Sequence, residues 1–431
     1  MGHFRLLVIG NGVSAYGSYL NMVALNVFIY HVTGSALTAG LFMAVRLLTN
    51  VAAGLVSGRL VSRYDRKRLM VGADLTQALA LLPLLIAPGG ARVALLFALA
   101  VVTGACSTLS QVALRSSVPE IVGADHRARA NGLLVTGRSL AMIAGFASSG
   151  VVVARFGYST AFALDAATFV VSAGILFLLP VRTRAAADTA GEGDGADEGA
   201  GRSAYRALLR TAPLLAVMIA VRAVDGLGSS SHNVALPVYS DSLDPAHPAT
   251  FVSQFWATWA LGNIVAQQLC GRLMNKSGRT PGERAFAVGS CVMSAAFILV
   301  FTGLPTVPAV AAALVAGMAD GFTEIVYVSR LQAAPDEQRG RLFGLSASAE
   351  NTGFGLGMIV SAALLDRFAP LPVVALFHGL AIVLCAALLV VLLRRGGTYA
   401  RRQAGRTAGG PAPDTGGAPG RDVPTAEGHS T

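Results

Sequence analysis

Apolar runs of about 20 residues, separated by short polar breaks, dominate the chain. An α-helix rises about 1.5 Å per residue, so a run of about 20 apolar residues is long enough to cross the hydrocarbon core of a bilayer. Twelve runs qualify, at 6–30, 36–57, 69–88, 93–114, 130–154, 160–180, 212–237, 249–271, 284–304, 308–330, 342–365 and 371–393. Two stretches break the pattern. Residues 181–211 contain a Gly, Ala and acid run from Thr189 to Arg202, too polar to bury a core, and read as a flexible cytosolic linker. Residues 395–431, rich in Gly, Pro and Arg, read as a disordered cytosolic tail. The pattern predicts an all-α polytopic membrane protein with twelve transmembrane helices. Residues 1–180 would form an N-terminal six-helix bundle and 212–394 a C-terminal one.

Charge then orients the helices. Five of the eleven residues from Gly58 to Arg68 are cationic, between two apolar runs. Short loops rich in Lys and Arg stay on the cytosolic side. If 58–68 is cytosolic, so are 115–129, 271–284 and 330–341, which together hold most loop cations; the opposite side has Arg92, Arg155 and Arg367. Both termini are then cytosolic, in a multi-pass protein of the plasma or inner membrane. The formal net charge of +10 is accounted for by these loops and the tail, so no nucleic-acid partner is implied. Charged residues make up 13% of the chain, about half of what soluble domains carry, which agrees. Met1–Arg5 leads into the first run without a cleavage site or myristoylation signal, and that run is expected to be a retained helix. Cys106, Cys270, Cys291 and Cys385 show neither paired nor metal spacing, so neither a disulfide nor a metal site is expected.

An internal repeat is present. Gly58-Arg59-Leu60 recurs as Gly271-Arg272-Leu273, Arg115 with Pro119 as Arg330 with Pro335, and Gly132-Leu133 as Gly344-Leu345, at offsets of 212 to 216. A duplicated unit of six helices, an even number, gives parallel repeats about an axis along the membrane normal. The segment Gly58-Arg-Leu60-Val-Ser62-Arg63-Tyr-Asp65-Arg66-Lys67-Arg68 resembles the signature loop G-x-L-x-D-R-x-G-R-(K/R) of the major facilitator superfamily. Gly271-Arg-Leu273-Met-Asn275-Lys276-Ser-Gly278-Arg279 repeats it. Thr33-Gly34-Ser35, Arg115 to Glu120, Thr136 to Leu140 and Pro335 to Phe343 are similar to the family's bacterial drug, macrolide and siderophore exporters. The resemblance covers about 4–394 and implies alternating access between two bundles. It also implies conformational roles for Gly58, Asp65, Arg66, Gly271, Gly278 and Arg279. The family's loop acid, which helps to latch the outward-open state, is Ser62 in the first copy and Asn275 in the second; Asp65 is a candidate substitute. The exporters' helix-five G-P-x-x-G-G is reduced here to Gly145-Phe-Ala-Ser-Ser149-Gly150.

Ionisable groups inside the spans mark candidate chemistry. On insertion scales each costs roughly 2.5–3.5 kcal/mol at a helix centre, so such groups face cavities or one another. Arg222 and Asp225 lie three residues apart on one helix face, Asp320 and Glu324 four apart, and Glu350 sits in the eleventh run. Four carboxylates against one Arg leave some acids without a cation, and burial of that kind favours the protonated form of a carboxyl group in general. Asp225, Asp320, Glu324 and Glu350 with Arg222 are therefore the candidate proton-coupling or cation-recognition cluster, against a passive Arg222–Asp225 structural pair. In the N-terminal half, Arg46 reads as a structural partner of Asp165 or Asp74, or as a substrate contact. Asp74 reads as an interfacial partner of Arg66–Arg68, and Arg138 as a packing residue. His232 is expected at the surface near the outer end of its helix. Trp256 and Trp259 read as an interfacial pair, or as an aromatic wall for an amphiphilic substrate. Gly145, Gly150, Gly353 and Gly357 offer small surfaces for close helix contact.

No phosphate loop, zincin motif or nucleophile elbow appears, so ATP-driven pumping and enzyme activity lack support. The expectation is a monomeric secondary transporter without cofactor, driven by the proton gradient and exporting a small amphiphilic molecule. Uptake by the same fold and a non-transporting membrane sensor are the alternatives.

Overall fold

A computed structural model describes residues 2–123, 126–179, 213–277, 281–334 and 336–408. Among these there are eleven α-helices and no strand. They are α1 (Gly2–Thr33), α2 (Ala36–Arg63), α3 (Arg66–Ile86), α4 (Arg92–Val122), α5 (Arg127–Leu178), α6 (Pro213–Leu243), α7 (Pro248–Ser277), α8 (Glu283–Val300), α9 (Thr306–Gln332), α10 (Asp336–Leu365) and α11 (Pro370–Ala408). Residues 1–389 form one compact unit and 390–431 a second, which includes the last turns of α11. The predicted linker and most of the predicted tail lie outside the described residues.

The 52 residues of α5 would make a rod of about 78 Å, more than twice a hydrocarbon core of about 30 Å. Gly157 breaks it with φ +81°, a conformation that side chains with a Cβ rarely adopt, so α5 is two segments. The break falls where the apolar pattern separates the fifth and sixth runs. Gly34, at φ +62°, ends α1 in the same way and lets the chain turn into α2.

The distribution of polarity is that of a membrane protein. Leu55 and Ile86 are 79% and 88% exposed, whereas Asn21, Asp74, Gln77, Asp165, Asp225, His232 and His378 are buried. Among the described residues, eight helices are long and apolar enough to cross a membrane. The three that fall short are α1, α7 and α10, diluted by residues such as Asn11, Asn21, Asn263, Gln267, Glu350 and Asn351. Of these, α1 and α7 line the cavities described below, and α10 carries Glu350 of the ion cluster. Asn21 is buried and Asn263 and Glu350 are half-buried, polarity turned inward that hydropathy by composition cannot see.

Packing repeats between the halves. The pairs α1–α5, α2–α4 and α3–α4 are matched by α6–α10, α7–α9 and α8–α9. The halves meet through α2–α10 and α5–α7, which correspond to each other under the same relation. Those meetings are very close. A Cβ on Gly40 would stand 2.9 Å from the Met358 carbonyl oxygen, and one on Gly150 would stand 2.8 Å from Ser253 Cβ. Ser253 Oγ donates to the Phe146 carbonyl at 2.6 Å. The α2–α10 contacts lie at the start of α2 and the end of α10, remote from the basic segment 59–68.

That basic segment is held within its own half. Asp65 caps α3, accepting from the Arg68 amide at 2.9 Å. Arg66 Nη1 donates to the Ser116 carbonyl near the end of α4 at 2.8 Å. Lys67 Nζ donates to the carbonyls of Phe177 and Leu179, at 2.9 and 2.5 Å, where α5 ends. Cations on terminal carbonyls complement the negative end of a helix. Ser62 Oγ turns back to the Arg59 carbonyl at 2.9 Å. A Cβ on Gly58 or Gly271 would meet open space, so packing does not explain either glycine. Gly278 and Arg279 lie outside the described residues.

Candidate functional site

The intramembrane charges gather in two places. In the C-terminal half, α6 carries Arg222 and Asp225 on one face, α9 presents Glu324 and α10 presents Glu350. The Arg222 guanidinium pairs with Asp225 at 3.1 Å, with Glu324 at 2.5 Å and with Glu350 at 3.8 Å. Its plane lies over the Tyr327 ring at 5.3 Å. Tyr327 and Ser346 share a hydrogen bond of 2.6 Å, and Ser346 Oγ donates to Glu350 at 2.8 Å. Three carboxylates thus converge on one cation, and with all three ionised two negative charges stay uncompensated. Asp225 is 6% exposed, and its Oδ1 has no hydrogen-bond partner. This is the cluster expected from the sequence, except for Asp320, which forms no ion pair with Arg222. Asn263 Nδ2 donates to Asp320 Oδ2 at 3.2 Å, and Gln267 in turn donates to Asn263 at 2.6 Å.

Asp320 instead lines a cavity of about 330 Å³ between the two halves. Tyr19 and Met22 come from α1, Met142 and Phe146 from α5, and Trp256 and Trp259 from α7. The rings form a continuous wall: Tyr19 to Phe146 at 5.2 Å, Phe146 to Trp256 at 5.8 Å, Trp256 to Trp259 at 5.3 Å. The tryptophans therefore form an aromatic wall rather than an interfacial belt. Ten-ångström helix diameters put such rings in contact only because Gly145 and Gly150 let α5 approach its neighbours. A Cβ on Gly145 would stand 2.7 Å from the Tyr16 carbonyl oxygen of α1. Gly353 and Gly357 of α10 do the same against α6, where a Cβ on Gly357 would lie 3.0 Å from Leu227 Cα and one on Gly353 would overlap the Ala223 carbonyl.

His232 also belongs to this cavity, contrary to its expected surface position. It is 2% exposed, stacks on Phe297 with ring centroids 4.0 Å apart, and bonds to His378 of α11 at 3.1 Å. Counting residues along α6 put it near the outer end, but α7, α8 and α11 pack over that part of the helix. His378 was missed, although a lone polar residue in the apolar run 371–393 was signal enough.

A second cavity of about 330 Å³ lies within the N-terminal half, lined by α1 to α4 and both segments of α5. Arg46, Asp74, Arg138 and Asp165 all face it. Asp74 is buried here beside Ser172 and is not an interfacial partner of Arg66–Arg68, because its position on α3 faces the bundle interior. Arg46 shares the cavity with Asp74 and Asp165 but closes an ion pair with neither. Arg138 donates to the Tyr19 hydroxyl at 2.9 Å and to Gln111 at 3.1 Å. Asn21 and Gln111 were not among the expected residues. Among the described residues, no group of three or more His, Cys, Asp or Glu could hold a metal ion.

The sequence profile of the Major Facilitator Superfamily matches residues 7–333 and 223–422. An uncharacterized MFS-type transporter of Bacillus subtilis (strain 168), YfiS, is 27% identical over 175 residues, a match spanning 40% of this chain and 41% of that relative. Among solved structures, the nucleoside transporter NupG superposes with a TM-score of 0.69 at 15% identity, over 91% of this chain and 99% of that one. A peptide transporter POT bound to sulfate gives 0.69 at 16% identity, over 91% and 94%. At such identity these two speak for the fold alone. The profile spans both halves and the relative shares sequence with part of the chain, so the protein is a member of the Major Facilitator Superfamily.

Proposed function

We propose that the chain is a proton-coupled exporter of a small amphiphilic molecule that works by alternating access. Its twelve spans would be the eleven helices with α5 counted twice, in two six-helix bundles (1–180 and 212–394), with both termini cytosolic in the plasma or inner membrane. The observation that carries this reading is the aromatic cavity between the halves, with the carboxylate of Asp320 in its wall. Flat rings supply apolar area and a cation-attracting face, and one acid supplies a counter-charge, which suits an amphiphile with a basic group. The cluster of Arg222 with Asp225, Glu324 and Glu350 supplies the coupling. Its excess negative charge, crowded around one cation with Asp225 buried between helices, is relieved by taking up a proton, and the α6–α10 contact moves with it. Protonation from outside would expel the substrate, and release inward would reload the cavity.

Transport assays in inverted vesicles test this. With a fluorescent amphiphilic amine as probe, the wild type should accumulate the dye when a proton gradient is imposed. Asp320→Asn should lose uptake of the dye, and Asp225→Asn and Glu324→Gln should abolish its dependence on pH. Retention of pH-dependent transport by all three variants would refute the assignment. Accumulation only in right-side-out vesicles would point to uptake instead.

A further inference from the structure

The N-terminal cavity holds unmet hydrogen-bonding capacity of two opposite kinds. Asn21 Nδ2 donates to Asp165 Oδ2 at 2.6 Å, yet Asp165 Oδ1 and Asn21 Oδ1 have no hydrogen-bond partner. The two residues are 2% and 3% exposed, so bulk water does not serve these atoms. Both are acceptors, so the missing partner is a donor. Across the cavity on α2, the Arg46 guanidinium closes no hydrogen bond or ion pair with a described residue, and there the missing partner is an acceptor. Leaving the two buried acceptors unmet costs the desolvation of each, while the half-buried Arg46 faces the cavity.

Charge and size narrow the ligand. Two guanidiniums, Arg46 and Arg138, balance two carboxylates, Asp74 and Asp165, so the walls are neutral overall. A lone ion would add an uncompensated charge in a low-dielectric surround, whereas a molecule carrying both charges would not. Arg138 is already engaged by Tyr19 and Gln111, which leaves Arg46 as the anion-binding group. A volume of about 330 Å³ falls at the lower end of the range for small-molecule sites. We propose that this cavity is a binding site for a small zwitterion, with its ammonium on Asp165 and Asn21 and its anionic group on Arg46. The proposal is independent of the export reading, which concerns the cavity between the halves. The two spaces share Tyr19 and Met22, so occupancy of one reaches the wall of the other.

The test uses the full chain purified in nanodiscs. Glycine, β-alanine and γ-aminobutyrate, with increasing charge separation, are titrated by calorimetry and by fluorescence of Trp256 and Trp259, the chain's two tryptophans. Propylamine, propionate and sodium ion serve as single-charge controls. At least one zwitterion should bind saturably, and no control should do so over the same range. Arg46→Gln and Asp165→Asn should each weaken binding at least about tenfold, while Asp320→Asn should bind as the wild type does. Saturation by propylamine or sodium equal to the zwitterions would make this a cation site and overturn the proposal. So would the absence of binding by all three zwitterions, or wild-type affinity in monodisperse Arg46→Gln and Asp165→Asn. If those variants do not fold, the wild-type comparison of zwitterions with single charges still decides.

Discussion

Replacing Asp366 by Ala should open the protein at the end remote from the basic loops. The four amides that begin α2 are fully accounted for. Ser35 Oγ accepts from Thr38 at 3.1 Å and the Ser35 carbonyl from Ala39 at 3.3 Å. The two remaining amides, of Ala36 and Leu37, donate to Asp366 Oδ1 at 3.0 and 3.3 Å. Asp366 follows α10, in the other half of the molecule. A carboxylate at a helix N-terminus contributes about 0.5–2 kcal/mol. Asp366 is exposed and screened by salt, which puts its share near the lower end, about 1 kcal/mol. The bond exists only while α2 and the end of α10 are together, so its loss acts on one state alone. About 1 kcal/mol corresponds to roughly a fivefold rise in the population open at this end. Spin labels at His31 and His247, both exposed and on opposite halves, would read that population as a longer distance component in pulsed electron resonance. Asp366→Asn, which keeps an acceptor but loses the charge, should show about half the effect in energy. An unchanged distance distribution in Asp366→Ala at low salt would refute the reasoning.

Three further outcomes follow from the contacts. Arg222→Met strands Asp225 and Glu350 without a cation and should cost about 3 kcal/mol, read as a lower melting temperature, with partial recovery in Arg222→Met/Asp225→Leu; an unchanged melting temperature counts against the cluster. His232→Phe leaves His378 Nε2 buried without its partner and should cost about 1–3 kcal/mol, and a second change, His378→Phe, should restore part of that. Gly353→Ala, which drives a methyl into the Ala223 carbonyl, should cost about 1–3 kcal/mol, whereas Gly355→Ala, 3.5 Å from Leu47, should be tolerated; equal thermal stability of the two would show that α10 shifts freely.

Much of the architecture was legible because spacing along one helix is a local property. The runs located the helices, the gap at 154–160 fell on Gly157, and the three-residue step from Arg222 to Asp225 placed both on one face. What a face looks at is not local. Asp320 and Glu324 share a helix, yet Glu324 reaches Arg222 while Asp320 turns to Asn263, because the choice belongs to the helices packed on either side. His232 and His378 are 146 residues apart and Asn21 and Asp165 are 144 apart, so no window of sequence contains either pair. Asp74 misled for a related reason. Its nearness in sequence to Arg66–Arg68 suggested a partner, but the helix turns it inward, while Arg66 and Lys67 reach for the ends of α4 and α5.

The altered acid of the signature loop takes on a definite meaning in this light. Asp65 caps its own helix, Arg66 and Lys67 hold helix ends of their own half, and Ser62 bonds to its own turn. These contacts survive any separation of the halves and so do not favour one state over another. The carboxylate that does bridge the halves here, Asp366, sits at the opposite end. An acid restored at Ser62 could bridge the halves only when the basic end closes, which in the alternating access proposed above is when the Asp366 end opens. Ser62→Asp and Asp366→Ala should therefore shift the same equilibrium in the same direction, each by about 1 kcal/mol. The sites are far apart and share no partner, so the double variant should reach about 2 kcal/mol, near thirtyfold in population. A shift in Asp366→Ala alone, with none from Ser62→Asp, would mean that the loop only orients the helices. A double variant short of the sum by more than about 0.5 kcal/mol would mean that the two ends are not independent latches on one rocking motion.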